Sequence, residues 1–169
     1  MRQICFALAI SLVVTAAGAR EAEPERIDMS GYLATAAAAA EYRDSRRVSE
    51  QEFIRMSREP ETIILDARSR EKFDELHVDG AIHLSFPDIA IESLARAIPD
   101  KQTRILIYCN NNFLNAESPF PSKLPNASLN LSTFIALYNY GYRNVWELAR
   151  VTELADSKLP FVSAPGTGS

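Results

Sequence analysis

The chain has 169 residues and a formal net charge of −4, with 47% hydrophobic and 24% charged residues. This length supports one domain with a substantial core and is too short for two ordinary domains. No basic cluster is long enough to follow a phosphate backbone, so nucleic acid is not an expected partner. The densest basic group, Arg43, Arg46 and Arg47, alternates with acidic residues, which is typical of a solvated helix end.

Residues 1–19 have the pattern of a secretory signal peptide. Arg2 gives a positive start, an uncharged apolar segment follows, and Ala17-Gly18-Ala19 provides a small-residue cleavage site. The apolar segment is shorter than the ~20 residues that a membrane-spanning helix needs. We therefore expect cleavage before Arg20, export to a bacterial periplasm and no membrane association afterwards. An uncleaved amino-terminal anchor is the alternative.

Cleavage would remove Cys5 and leave Cys109 as the single cysteine of the mature chain. An unpaired thiol in an oxidising compartment is either buried and inert, paired with another molecule, or reactive. Cysteine counting alone does not choose between these three states.

The amino-terminal part predicts two helices ahead of the main alternating pattern. Residues 20–47 combine a charged lead-in with an alanine-rich helix, expected over residues 30–43 with Ser30 as its N-cap and packed on the outside of the domain. Ser49 and Glu52 then have the spacing of a capping box, which predicts the start of a short second helix.

From residue 62 onward, strands alternate with helices. The strands are expected at 62–66, 81–84, 104–108 and 144–148, and the helices at 69–76, 89–98 and 129–140. This alternation predicts a parallel sheet that is covered on both faces. Prolines and glycines follow near the end, and we expect residues 160–169 to form a flexible tail.

The strand at 104–108 is continuously apolar after its first residue and ends directly at Cys109. Such a run is typical of a buried central strand, and open α/β sheets place their sites at the carboxyl ends of strands. Residues 110–127 contain three prolines and five asparagines with little periodicity. We expect this segment to be a long functional or mobile loop, followed by a helix capped by Asn126 or Ser128.

Four motifs occur in an order and spacing that resemble a rhodanese-like domain. They are Leu65-Asp66-Ala67-Arg68-Ser69, the segment from Leu76 to Leu84 with its Asp79-Gly80 turn, Ile105-Leu106-Ile107-Tyr108-Cys109, and the segment from Tyr140 to Leu148. The resemblance covers residues 48–159. It implies an α/β three-layer sandwich with a central, mostly parallel five-stranded sheet. It also implies that Cys109 carries sulfane sulfur as a persulfide and that Asp66 and Arg68 support the site.

A loop that curls around the sulfur would direct successive backbone N–H groups at it, which stabilises negative charge. The candidate N–H groups are those of Asn110, Asn111, Asn112, Phe113 and Leu114. Asparagine tolerates the left-handed backbone conformation that a tight cradle requires. Alternatively, the asparagines merely populate a turn.

Family members that act on thiosulfate usually carry arginine, lysine or glycine in this loop, whereas here the loop is uncharged. Residues 115–127 resemble an insertion, and its Lys123 is the nearest candidate in the sequence for the fixed positive charge that an anionic donor would need. No cofactor is expected other than a transient persulfide sulfur on Cys109. No metal site is expected either, because one cysteine with His77 and His83 falls short of a closed zinc site, and both histidines match structural positions of the motif.

Three candidate functions differ in the residues that they require around Cys109. The first is a sulfurtransferase that takes sulfur from a small donor and passes it from Cys109 to a thiol or cyanide acceptor. The second is a catalytically weak or inactive binding or redox-sensing module that contacts a periplasmic protein through residues 110–127. The third, a phosphatase or arsenate reductase, needs an arginine six positions after the cysteine, and that position is Asn115.

Overall fold

A computed structural model describes residues 26–165. The predicted signal peptide therefore lies outside the described residues.

The helices are α1 (Met29–Asp44), α2 (Glu50–Ser57), α3 (Arg70–Glu75), α4 (Ile91–Ala97) and α5 (Leu129–Asn139). The strands are β1 (Arg47–Val48), β2 (Thr62–Asp66), β3 (His77–Val78), β4 (Ala81–His83), β5 (Arg104–Tyr108), β6 (Phe113–Leu114), β7 (Val145–Leu148), β8 (Thr152–Glu153) and β9 (Phe161–Val162). Between residues 26 and 165, no helix has the length and apolar character required to cross a membrane.

The main sheet has five strands, all parallel, in the order β1-β7-β5-β2-β4. Strand β5 is central and pairs with β2 on one side and β7 on the other. Its side chains alternate between the two faces of the sheet: Leu106 and Tyr108 belong to one apolar cluster, and Ile105 and Ile107 belong to the other. The α/β sandwich with a five-stranded sheet, and the buried central strand, are therefore confirmed.

The two faces of the sheet are covered by different helices. Phe53 and Met56 of α2 pack in the cluster that contains Leu106. On the opposite face, Leu94 of α4 and Phe134 of α5 pack in the cluster that contains Ile105. Helix α1 also lies on this second face, where its Ala39 is buried. This burial of apolar residues on both sides explains why the strands are nearly continuous in hydrophobicity.

The predicted side-chain caps of α2 and α3 are present, whereas the predicted cap of α1 is not. The Ser49 hydroxyl accepts a hydrogen bond from the Glu52 N–H, as predicted, and Ser69 caps α3 in the same way. Helix α1, however, begins at Met29, and its N-cap is Asp28, whose side chain accepts a 2.8 Å hydrogen bond from the Gly31 N–H. The prediction of Ser30 as the cap was wrong, because a carboxylate two residues earlier takes that role.

The prediction of a flexible tail over residues 160–169 is corrected for residues 160–165, whereas residues 166–169 lie outside the described residues. Phe161 and Val162 form β9 and pair antiparallel with β3. The Phe161 ring contacts the Phe113 ring edge-on, with the ring centroids 5.2 Å apart. An aromatic side chain that gains an apolar partner offsets the entropy lost on ordering the backbone, even next to proline and glycine.

Residues 110–127 contain more regular structure than the sequence suggested. Residues 110–112 and 125–127 form 3-10 turns, and β6 pairs in parallel with β8. Within residues 26–165, the non-glycine residues with positive φ are Glu61 and Asn115. The expectation that residues 110–112 adopt left-handed backbone angles is therefore wrong, because a 3-10 turn needs only ordinary right-handed angles.

Candidate functional site

Cys109 lies at the carboxyl end of β5 and starts the turn formed by residues 110–112. Only 1% of the residue is exposed, yet it lines a cavity of about 350 Å³. The cavity also receives residues from the amino-terminal segment, the insertion, α5 and the end of β7. The sequence thus located the cysteine correctly at a strand end that faces a cavity.

Four of the five predicted N–H groups differ in whether they donate a hydrogen bond within the turn. The Asn112 N–H donates to the Cys109 carbonyl at 3.1 Å, and the Phe113 N–H donates to the Asn110 carbonyl. The N–H groups of Asn110 and Asn111 are the first two of the turn, and the first amides of a helical turn have no carbonyl acceptor within it. These two amides remain the ones available to negative charge at the start of the turn.

The Asn112 side chain ties the turn to the neighbouring strand end. Its Oδ1 accepts from the Cys109 N–H at 2.9 Å and from Asn130 Nδ2 at 3.3 Å. Its Nδ2 donates to the carbonyls of Leu148 and Arg150 at 2.9 and 3.0 Å. Because Asn112 is buried, these hydrogen bonds fix the backbone that carries the sulfur.

Ser128 is the side chain that contacts the sulfur. Its Oγ lies 3.3 Å from Cys109 Sγ, and either atom can be the donor. The sequence predicted Ser128 or Asn126 as a helix cap. Ser128 does occupy the N-cap position of α5, but its side chain makes no capping hydrogen bond. The contact between Ser128 and Cys109 could not be predicted from the sequence. The two residues are nineteen positions apart, and only the folded chain brings them together.

Asn110 and Asn111 hold the insertion onto the turn. Asn110 Nδ2 donates to the Pro121 carbonyl at 2.9 Å. Asn111 makes two hydrogen bonds to the backbone of Lys123, one from Nδ2 to the carbonyl at 2.8 Å and one from the Lys123 N–H to Oδ1 at 3.1 Å. The three consecutive asparagines therefore do more than populate a turn, since each side chain holds another segment beside the sulfur.

Asp66 and Arg68 form a buried ion pair beneath the insertion. Arg68 Nε and Nη2 both donate to the Asp66 carboxylate, the shortest contact being 2.6 Å. The guanidinium also donates to the carbonyls of Leu76 and Pro119. Neither residue lines the Cys109 cavity; Arg68 lines a separate cavity of about 570 Å³. The geometry is that of a pair that holds chain segments in position.

Tyr108 joins this pair to the strand that carries the cysteine. Its hydroxyl donates to Asp66 Oδ2 at 2.5 Å and accepts from the Val78 N–H at 3.1 Å. Burial raises the pKa of Tyr108 far above its ordinary value, and the Asp66 carboxylate raises it further. Tyr108 therefore remains a hydrogen-bond donor to Asp66 at every pH at which the protein works.

Both histidines have protein partners. His77 Nδ1 lies 2.6 Å from the Phe73 carbonyl, and its ring stacks on the Phe73 ring with centroids 3.7 Å apart. His83 Nε2 lies 2.9 Å from the Arg68 carbonyl. These contacts agree with structural roles for the two rings.

The basic group at the end of α1 is not a solvated helix end, and that prediction was wrong. Arg43 makes a bidentate ion pair with Glu147, a residue of β7, and Arg46 lies over the ring of Trp146. Arg43 and Arg47 line the Cys109 cavity. Sequence reasoning missed these residues because β1 pairs with β7, which is about a hundred positions later in the chain.

Comparisons with known proteins agree with this architecture. The model of the rhodanese-like domain family matches residues 49–149. A segment of 46 residues, 27% of the chain, is 37% identical to thiosulfate sulfurtransferase PspE of Escherichia coli K12 and spans only 43% of that relative. A solved E. coli structure described as rhodanese with anions is 27% identical, with 60% of this chain and 98% of that chain covered and a TM-score of 0.41. A thiosulfate sulfurtransferase from Pseudomonas aeruginosa is 19% identical, with 72% and 21% covered and a TM-score of 0.45.

The family match covers more than half of the chain and contains the cysteine, the Asp66–Arg68 pair and four of the five strands of the main sheet, while β1 precedes it. The relative that is 37% identical over 46 residues is a thiosulfate sulfurtransferase. The chain belongs to the rhodanese-like domain family.

Proposed function

We propose that this protein is a sulfurtransferase in which Cys109 carries sulfane sulfur as a persulfide. The observation that supports this proposal is the position of Cys109: it lies on a cavity, at the end of the central strand and the start of a turn, with its sulfur next to the Ser128 hydroxyl. Hydrogen-bond donors at this place stabilise a thiolate, which is the nucleophilic form of cysteine.

In the first half-reaction, the Cys109 thiolate attacks the outer sulfur of a donor such as thiosulfate. A sulfur–sulfur bond forms to the enzyme, the sulfur–sulfur bond of the donor breaks, and sulfite leaves with the electron pair of that bond. In the second half-reaction, the thiolate of an acceptor attacks the terminal sulfur of the persulfide. An acceptor persulfide forms, and the Cys109 thiolate is regenerated.

Intact mass spectrometry tests the proposal. The purified protein is incubated with thiosulfate or with polysulfide, and Cys109→Ser is treated in parallel. We expect the wild type to gain the mass of one sulfur atom, to lose it on addition of a thiol or cyanide, and Cys109→Ser to gain nothing. Wild-type protein that gains no sulfur from either donor would instead support a binding or redox-sensing module.

We further propose that the protein acts after export to the periplasm. The support is the signal-peptide pattern of residues 1–19. Cleavage before Arg20 would leave Cys109 as the only thiol, which makes every mass change at sulfur assignable to one residue. The expected result is a periplasmic protein whose amino-terminal sequence begins at Arg20, whereas a membrane-bound chain that retains residues 1–19 would contradict it.

A further inference from the structure

The cavity above Cys109 is charged although the cysteine loop is not. Four ionisable side chains line it besides the cysteine: Arg43, Arg47, Lys123 and Glu147. They come from the end of α1, from β1, from the insertion and from β7. Three cationic residues and one anionic residue therefore line a cavity of about 350 Å³, and Lys123 also lines the neighbouring cavity of Arg68.

The positive charge of Arg43 is offset within the protein. Its Nε and Nη2 atoms both bind the Glu147 carboxylate, and only 5% of the Glu147 side chain is exposed. A bidentate pair of this kind satisfies the carboxylate and uses the planar fork of the guanidinium. Arg43 and Glu147 together contribute little net charge to the cavity.

Arg47 is bound much more weakly. Its Nε lies 3.8 Å from Glu147 Oε1, and its Nη2 lies 3.5 Å from the Ala149 carbonyl. Both distances exceed those of a good charge-assisted hydrogen bond. The Arg47 side chain is 45% exposed, so most of its N–H donors can reach a ligand in the cavity.

Lys123 supplies the second uncompensated charge. Asn111 holds its backbone through two hydrogen bonds, so the side chain starts from a fixed point beside the cysteine loop. In the part of the chain from residue 26 to residue 165, no ion pair involves the Lys123 ammonium group. The net charge of the cavity lining is therefore positive, and it belongs to Arg47 and Lys123.

We propose that Arg47 and Lys123 bind the oxyanion group of an anionic sulfur donor and so determine which donors reach Cys109. This inference rests on the sulfurtransferase function proposed above and names the residues that select its donor. Cations on the wall of a small cavity concentrate anions there and bind sulfonate-type oxygens through charge-assisted hydrogen bonds. The positive charge that the cysteine loop lacks is then supplied by the edge strand β1 and by the insertion.

Direct binding to Cys109→Ala separates donor binding from sulfur transfer. Thiosulfate is titrated calorimetrically into Cys109→Ala, and then into the same protein with Arg47→Gln or Lys123→Gln added. We expect each added change to raise the Kd for thiosulfate about tenfold, the loss typical of one hydrogen bond to a charged group. Arg96→Gln is the matched control, because Arg96 is exposed and lies outside the cavity lining; we expect it to leave the Kd unchanged.

Transfer kinetics then distinguish this inference from the function on which it rests. In the Cys109-containing protein, Arg47→Gln should raise the thiosulfate concentration needed for half-maximal sulfur loading about tenfold, with little change at saturation, and Arg47→Lys should restore part of the loss. Absence of loading in the wild type would overturn the sulfurtransferase proposal and leave the binding result to stand. Thiosulfate that does not bind Cys109→Ala, or that binds equally well after Arg47→Gln and Lys123→Gln, would overturn the donor-site inference.

Discussion

The hydroxyl oxygen of Ser128 lies 3.3 Å from the sulfur of Cys109, and its capping role at α5 is unused. A hydroxyl in this position can donate a hydrogen bond to the sulfur when Cys109 reacts as the nucleophile. Asn112 acts on the sulfur indirectly. Its side chain accepts a hydrogen bond from the Cys109 N–H and thereby fixes the backbone that carries the sulfur. At the scale of single residues, the chemistry of Cys109 depends on these two neighbours.

Ser128→Ala tests the hydroxyl. We expect iodoacetamide to alkylate Cys109 roughly fivefold more slowly at pH 7 in this variant, which corresponds to the loss of one modest hydrogen bond. The rate is measured by mass spectrometry of the peptide that contains Cys109. Ser122→Ala is the matched control, because Ser122 lines the same cavity without a hydrogen bond to the sulfur. Equal rates in the wild type and Ser128→Ala would remove Ser128 from the account of Cys109 reactivity.

Asn112→Asp tests the scaffold behind the sulfur. The carboxylate can still accept from the Cys109 N–H, but it cannot donate to the Leu148 and Arg150 carbonyls. We expect a loss of about 2 to 4 kcal/mol in the free energy of unfolding, because a buried charge loses two hydrogen bonds and meets two carbonyl oxygens. Urea denaturation measures the loss. Asn126→Asp, at an exposed position of the insertion, should stay within about 1 kcal/mol of the wild type.

The insertion is the element that distinguishes this chain from the pattern that its sequence resembles. It is held by hydrogen bonds from Asn110 and Asn111 to the backbone of residues 121 and 123, and by the side chain of Phe120, which is 1% exposed. The Phe120 ring contacts Phe113 and lies under the Arg68 guanidinium, 4.2 Å from it. An insertion with a buried aromatic anchor is an ordered part of the core rather than a mobile loop.

Phe120→Ala tests this anchoring. Truncation of a fully buried ring should lower the free energy of unfolding by about 3 to 5 kcal/mol. It should also speed limited proteolysis between residues 115 and 127, because the insertion loses its attachment. Leu124→Ala is the control in the same segment; Leu124 is 72% exposed, and its removal should cost less than about 0.5 kcal/mol. A small effect of Phe120→Ala would show that the asparagine hydrogen bonds alone hold the insertion.

Four of the five strands of the central sheet were predictable because each carries a local signal, whereas the two-residue β1 was not predicted. The bounds of β2 and β5 agree with the predicted ranges, since apolar runs end at chain-breaking or polar residues. The Ser49 and Ser69 caps were equally predictable, because a cap acts over three residues. Contacts that join distant segments left no such signal: the Ser128 contact, the Arg43–Glu147 pair and the pairing of β9 with β3 all depend on the complete fold.

At the scale of the whole molecule, the segment that precedes the family match completes both the core and the cavity. The family model begins at residue 49, whereas β1 forms the edge of the main sheet and α1 covers one of its faces. The ring of Tyr42 packs against Tyr138 of α5, with centroids 5.5 Å apart. Arg43 from the same helix neutralises the buried Glu147. The amino-terminal helix is therefore an integral part of this domain.

Removal of α1 tests that conclusion. A chain that starts at Ser45 loses the apolar contacts of Ala39 and Tyr42 and leaves the Glu147 carboxylate without its bidentate partner. We expect its free energy of unfolding to fall by about 3 to 5 kcal/mol relative to a chain that starts at Ile27, which keeps the helix and its Asp28 cap. Urea denaturation monitored by Trp146 fluorescence measures the difference.

Arg43→Gln in the longer chain isolates the contribution of the ion pair. Arg43→Gln combined with Glu147→Gln also removes the unpaired charge, so the double variant should recover part of the lost stability. Equal stability of the two chain lengths would instead mean that α1 packs against the domain without contributing to its stability.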